Sequence, residues 1–183
     1  MRVLQGLVVL VAVAPGSLAA QTPVADPRDV GTIADIVRAS YEVISGPIGA
    51  PRQWRRDSTL YALAATFTAT SEKDGKTVVK QMTPESYRRA NDSSFVKNGL
   101  FETQVGSRIE RFGNVAQVRS ISESRRTPDG PVIGRYVNYI TLNWDGKRWW
   151  MTAWVWDEER PNNPIPPSWI GARDEVPGPS NRR

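Results

Sequence analysis

The stretch from Val132 to Trp156 constrains this chain more than any other. It reads Val-Ile-Gly-Arg-Tyr-Val-Asn-Tyr-Ile-Thr-Leu-Asn-Trp144, then Asp145-Gly146, then Lys-Arg-Trp-Trp-Met-Thr-Ala-Trp-Val-Trp156. Two β-branched and aromatic runs about an Asp-Gly pair are a strong hairpin signal. A two-residue loop would set Leu142 opposite Trp149, Ile140 opposite Met151 and Tyr136 opposite Val155. Val137, Tyr139 and Thr141 would then share the other face with Trp150, Thr152 and Trp154. Both faces are apolar, unlike the one-sided alternation of a sheet half in water. A tryptophan removed from water is worth about 4–5 kcal/mol at most, so each face needs a cover.

The first residues set the expected compartment. Arg2, the apolar run Val3 to Ala14 and the small-x-small pattern Ser17-Leu18-Ala19 read as a signal peptide over 1–19. The run is short for a membrane span and no stop-transfer segment follows, so the expected product is exported and not stably inserted in a membrane. Its form, with the lack of cysteine, points to a bacterial source, and leaves periplasm and outside the cell both open. Residues 20–26 read as a linker, 27–160 as one domain, and 161–183 as a proline-rich extended segment with a disordered tail from about Gly171.

The 183 residues include neither histidine nor cysteine. That excludes a Ser-His-Asp triad, a Cys-His pair and zinc sites built on His or Cys. Acid–base chemistry would fall to Asp, Glu, Tyr or Lys. Asp157-Glu158-Glu159 reads as a solvated rim, so neither a metal nor a cofactor is expected. The formal charge is +5, and without Arg2 it is 23 basic against 19 acidic residues, or +4. Because the arginines fall in scattered pairs (Arg55-Arg56, Arg88-Arg89, Arg125-Arg126, Arg182-Arg183), no nucleic-acid partner is expected.

Asp26-Pro27 starts a helix whose apolar positions Val30, Ile33, Ala34, Val37, Tyr41 and Ile44 recur at helical spacing until Ser45-Gly46-Pro47. A second helix is expected from Arg52 to about Leu63, with Trp54, Asp57 and Tyr61 on one face. A small hairpin, Thr66–Thr70 with Lys76–Gln81, follows about the loop Ser71–Gly75. Thr83-Pro84-Glu85 opens a third helix carrying Tyr87, Ala90, Ser94 and Phe95 on one side. Strands Leu100–Phe112 and Val115–Arg125 meet at Gly113-Asn114, with Val105, Ile109, Ala116 and Val118 inward and Arg108, Glu110, Gln117, Arg119 and Glu123 outward. The long hairpin completes an antiparallel meander. Helices followed by such a sheet make an α+β fold.

In element order, and in two local patterns, the chain resembles the nuclear transport factor 2-like superfamily of ketosteroid isomerases, scytalone dehydratase and SnoaL-like cyclases. One pattern is Leu60-Tyr-Ala-Leu-Ala-Ala-Thr-Phe67 and the other is Asp145-Gly-Lys-Arg-Trp-Trp-Met151. The resemblance spans about Asp26 to Arg160. It implies a curved antiparallel sheet wrapped around three N-terminal helices, a cone-shaped α+β roll with an apolar pocket. Relatives that dimerise through the outer sheet face imply a homodimer here, with Tyr139, Trp150, Trp154 and Trp156 facing the partner or a covering segment such as Pro161–Trp169. The sequence departs from the family where its chemistry lies. The isomerase base falls at Ala69, and two customary acids are Leu63 and Ala64.

Asp57, between Trp54 and Tyr61, is the candidate acid–base residue. Pocket candidates are Tyr41, Trp54, Tyr61, Tyr87, Val105, Ile109, Val118, Tyr136, Trp149 and Met151, with Asn138 as a polar contact and Arg111 as a clamp for an acidic ligand. The reading that follows is an exported, non-catalytic module binding a small apolar or amphipathic molecule. The alternatives are an isomerase, dehydratase or cyclase using Asp57 with a tyrosine donor, and a purely structural dimerisation unit.

Overall fold

Asp26 caps the first helix as expected, its carboxylate accepting from the Arg28 amide at 2.9 Å. A computed structural model describes residues 24–173, so the expected signal peptide, most of the linker and the chain beyond Arg173 lie outside the described residues. α1 (Pro27–Val30) ends at Gly31, and Thr32 recaps the chain by accepting from the Asp35 amide at 3.1 Å. α2 (Ile33–Ile44) is therefore a separate helix rather than a continuation. It is buried nearly all round, Ile36, Ala39, Ser40 and Val43 included, with Ala34 and Arg38 on the exposed stripe.

α3 (Trp54–Asp57) is one turn long and does not reach Leu63. Strand pairing takes over: the Leu60 carbonyl accepts from the Met151 amide at 3.0 Å, and β1 (Tyr61–Lys73) begins at once. β2 (Lys76–Met82) returns through the two-residue turn Asp74-Gly75, whose φ values of 53° and 71° are left-handed, so the expected longer loop is replaced by strand. α4 (Pro84–Asn98) opens with a capping box between Thr83 and Ser86. β3 (Phe101–Phe112), β4 (Val115–Arg125), β5 (Gly134–Trp144) and β6 (Trp149–Glu158) complete one curved sheet in the order β2-β1-β6-β5-β4-β3. All neighbours are antiparallel except β1 and β6, which run parallel. The fold is α+β, with the helices on the inner face of the sheet.

The long hairpin departs from the expected register in two steps. Trp144 pairs with Trp149 across a four-residue connection, Asp145 to Arg148. The Asp145 carboxylate holds that connection, accepting from the Lys147 and Arg148 amides at 2.8 and 2.9 Å and from Trp150 Nε1 at 2.7 Å. Leu142 therefore faces Met151, not Trp149. Thr152 then forms a bulge, after which Thr141 pairs with Ala153, Ile140 with Trp154 and Tyr139 with Val155. The bulge reverses the faces. Trp154 is 8% exposed and packs inward with Trp156, while Val155 points out at 41% exposed, which corrects the expectation that Trp154 and Trp156 face a partner. Tyr139 and Trp150 remain on the outer face.

A second bulge, at Val105, divides β3: Gln104 pairs with Ser122 but Gly106 with Ile121. Over this part of the outer face lies the segment after β6. Ile165 is buried, the Arg119 guanidinium stacks 3.7 Å from the Trp169 ring, and Gly171 N donates to Val105 O at 2.7 Å. Gly106 is required here, because a Cβ would sit 2.0 Å from the Trp169 carbonyl oxygen. Residues 171–173 thus pair with the β3 edge, and order extends past Gly171, where disorder was expected.

Candidate functional site

The helices and the inner sheet face enclose a cavity of about 300 Å³. Its walls are mostly aromatic: Tyr41 from α2, Tyr61 and Phe67 from β1, Tyr87 and Phe95 from α4, Tyr136 from β5, and Trp154 and Trp156 from β6. Phe67 is the hub, its ring centroid 5.1 Å from Tyr61, 5.3 Å from Tyr87, 5.9 Å from Trp154 and 6.1 Å from Trp156. The rings meet at 62° to 85° to one another, the edge-to-face geometry aromatic pairs prefer.

One wall is polar. Ahead of the Val105 bulge, Glu102 and Gln104 turn inward opposite Ser124 and Ser122. Ser122 Oγ donates to Glu102 Oε1 at 2.7 Å and accepts from Asn138 Nδ2 at 3.1 Å. Asn138 Oδ1 accepts from Trp154 Nε1 at 2.8 Å, so an unbroken chain of hydrogen bonds runs from β6 to the Glu102 carboxyl. Beside it, Ser120 Oγ meets the Tyr41 hydroxyl at 2.8 Å and accepts from Gln104 Nε2 at 2.6 Å. Burial pushes the Glu102 carboxyl above its ordinary range, against the opposing donors Ser122 and Ser124. Burial likewise raises Tyr41 and Tyr87, with the negative charge of Glu102 next in order, and pushes Tyr136 up to about 12 with help from Glu158 and Glu102. The phenols are therefore donors at neutral pH, and Glu102 is the lining carboxyl that can take or give a proton.

Asp57 lies elsewhere. It is 3% exposed, accepts from Arg88 Nη1 at 2.7 Å and from the Tyr61 hydroxyl at 3.1 Å, and does not line the cavity. Burial raises its carboxyl, while Arg88 and Tyr61 pull it down. Its geometry is that of a buried structural pair behind the cavity wall.

Of the expected pocket residues, Tyr41, Tyr61, Tyr87, Tyr136 and Asn138 line the cavity. The others do not. Val118, Trp149 and Met151 are core residues at 1% exposed, Ile109 packs against that core, and Val105 is consumed by its bulge. Trp54 packs on Phe95 and donates from Nε1 to Asp92. Arg111 is directed away from the cavity, its guanidinium over the Trp149 ring at 5.1 Å and its Nε donating to Gly113 O. Sequence reasoning missed Glu102. The signal for it was Ser120, Ser122 and Ser124, three small polar residues at strand spacing on the face that Ala116 and Val118 turn inward.

A second, more open cleft of about 860 Å³ lies by the N-terminal helices, bordered by Asp26, Arg28, Asp29, Arg38, Arg52 and Arg56. Its charges mostly satisfy one another: Arg56 meets Asp29 at 2.7 Å and Glu42 at 2.6 Å, and Arg38 meets Glu42 at 2.7 Å. Arg52 is spent on backbone carbonyls, including Gly46 O at 2.9 Å. Among the described residues no group of His, Cys, Asp and Glu could hold a metal ion, and no helix is long and apolar enough to cross a membrane.

The fold and cavity together define a sheet-and-helix cone with an internal pocket. No protein-family model and no curated protein sequence matches the chain. Solved structures similar to it include a nuclear transport factor 2-like protein of unknown function from Methylobacillus flagellatus, at 12% identity over 70% of this chain and 95% of that one, TM-score 0.46. Another is a candidate ketosteroid isomerase from Parabacteroides distasonis, at 10% identity over 78% and 99%, TM-score 0.47. A third is a candidate dehydratase of the nuclear transport factor 2-like family from Streptomyces avermitilis, at 14% identity over 70% and 94%, TM-score 0.48. These neighbours come from the superfamily that the sequence resembles. The likeness is one of fold.

Proposed function

We propose that this protein is an exported binding module whose small-molecule ligand occupies the cavity between α2, α4 and the inner sheet face. The observation that carries the reading is a 300 Å³ space left open amid eight aromatic rings, with a single lining carboxyl seated on serine hydroxyls. Ligand pockets of about this size combine apolar walls with a few placed polar groups. An open cavity also disfavours the purely structural alternative, in which the cone would be filled by its own side chains. Native mass spectrometry of the protein recovered from its own exported fraction tests the reading. A retained small molecule is expected, released by Tyr87→Ala. Recovery from the cytosol, or a mature N-terminus that still includes residues 1–19, counts against export.

A second reading is favoured by one observation, the raised carboxyl of Glu102 beside tyrosine phenols. It is an acid–base enzyme in which Glu102, not Asp57, moves the proton and a tyrosine stabilises the oxygen. Turnover abolished by Glu102→Gln, in a folded protein that still binds, would establish it. The homodimer also belongs to this proposal. Its support is the uncovered outer face around Tyr139 and Val155, each 41% exposed.

A further inference from the structure

We infer that the ligand presents a compact organic ammonium group to the cavity, held by the aromatic walls and countered by Glu102. The inference rests on the reading of this cavity as a ligand site and narrows it to a charge class.

Three features converge. Phe67, Tyr87, Trp154 and Trp156 meet edge to face, so rings in several orientations border one small space. Aromatic faces carry negative quadrupole charge, and such boxes suit a cation whose charge is spread over methyl groups. Next, the one carboxylate of the lining borders the same cavity as these rings and accepts from Ser122 Oγ at 2.7 Å, so a hydrogen bond orients it. The lining's single cation, Arg126, is exposed and donates to Gly99 O at 3.1 Å. Solvent screens it, whereas the enclosed carboxylate acts through a less polar medium. Finally, an apolar ligand would leave Glu102 without a use, and an anionic one would meet it as a like charge.

The Glu102 charge acts on Tyr41 from α2, Tyr87 from α4 and Tyr136 from β5; Glu158 stands beside Tyr136, Arg126 after β4 lines the same cavity, and Tyr61 from β1 faces Asp57 and Arg88. The phenols are held neutral by burial. Ammonium affinity should therefore follow the ionisation of Glu102, falling as acid protonates it.

The test is a tryptophan-fluorescence titration of the full mature chain, since Trp154 and Trp156 line the cavity. The probes are choline, its uncharged carbon isostere 3,3-dimethylbutan-1-ol, and 3,3-dimethylbutanoate. At about pH 8, choline is expected to bind at least about tenfold tighter than the alcohol, and the butanoate weakest. Glu102→Gln should bring the choline-to-alcohol ratio close to one. Tyr87→Phe, which keeps the ring, should retain choline binding, and Tyr87→Leu should weaken it several-fold. The alcohol binding as tightly as choline overturns the ammonium inference and leaves the cavity reading standing. So does a preference for the butanoate, which would place Arg126 in control. No response to any probe at millimolar concentration overturns both.

Discussion

Replacing Arg88 by Met should destabilise the protein in a pH-dependent manner. Arg88 Nη1 lies 2.7 Å from Asp57 Oδ2, with side chains 19% and 5% exposed. Without it the carboxyl keeps a single donor, the Tyr61 hydroxyl at 3.1 Å. A buried carboxylate left without its cation costs about 3–5 kcal/mol if it stays ionised. It has another course. Burial already raises Asp57, and Arg88 is the chief influence holding it down, so its loss lets the carboxyl rise further and take up a proton. The cost then becomes that of holding the proton, about 1.4 kcal/mol for each unit by which pH exceeds the pKa Asp57 has beside Arg88, until pH reaches the raised pKa of the variant. Arg88→Met should therefore cost little near pH 5 and about 3 kcal/mol or more near pH 8. Asp57→Asn, which leaves a partly solvated arginine to find water, should cost about 1–2 kcal/mol at either pH. The double variant should fall well short of the sum of the singles. Urea unfolding of all four proteins at both pH values measures this directly. An Arg88→Met cost below about 1 kcal/mol at pH 8, or one indifferent to pH, would refute the reasoning. A variant equally stable but unable to bind ligand would return Asp57 to the functional site.

Glu102→Gln should stabilise the empty protein as pH rises. A carboxyl raised by folding favours the native state below its unfolded pKa and loses that contribution as pH climbs through the folded value, so the variant's melting advantage should grow from acid to neutral pH. Val155→Arg, on the outer face, should halve the solution mass while the protein stays folded, and an unaltered mass would remove this face as the dimer interface. Gly106→Ala should lift the segment over β3, because the new Cβ would lie 2.0 Å from Trp169 O; faster proteolysis after Glu158 checks it, and a cleavage pattern like that of the parent chain contradicts it.

The layer architecture was legible because helix starts announced themselves through Asp26-Pro27 and Thr83-Pro84, and β3 and β4 through the Gly113-Asn114 turn. Tyr41 and Tyr87 were legible as cavity residues for the same reason, and Tyr136 and Asn138 through alternation along β5, whereas Tyr61 reaches the cavity from β1 and not from the helix expected there. What failed was face assignment beyond a bulge. From Trp149 to Trp156 nearly every residue is apolar, so alternation carries no facing information, and the extra residue at Thr152 leaves no trace in composition. Trp154 and Trp156 consequently changed sides. The same cause hid Glu102, because counting back from Ile109 in steps of two places Val105 inward, and only the bulge there exchanges it for Gln104 and Glu102. Helix α3 was overextended because Ser58 to Tyr61 continues a helical apolar pattern, which pairing with β6 overrides.

The central claim is that Glu102 is an ionisable group inside a cavity that accepts a ligand. Carbon-detected NMR titration of the glutamate carboxyls, assigned by Glu102→Gln and recorded with and without choline, addresses it most directly. One glutamate should titrate above about 4.5 in the empty protein, and its midpoint should fall when choline is added, because the bound cation favours the carboxylate. An ordinary midpoint for Glu102, or one that choline leaves unmoved, would contradict the account.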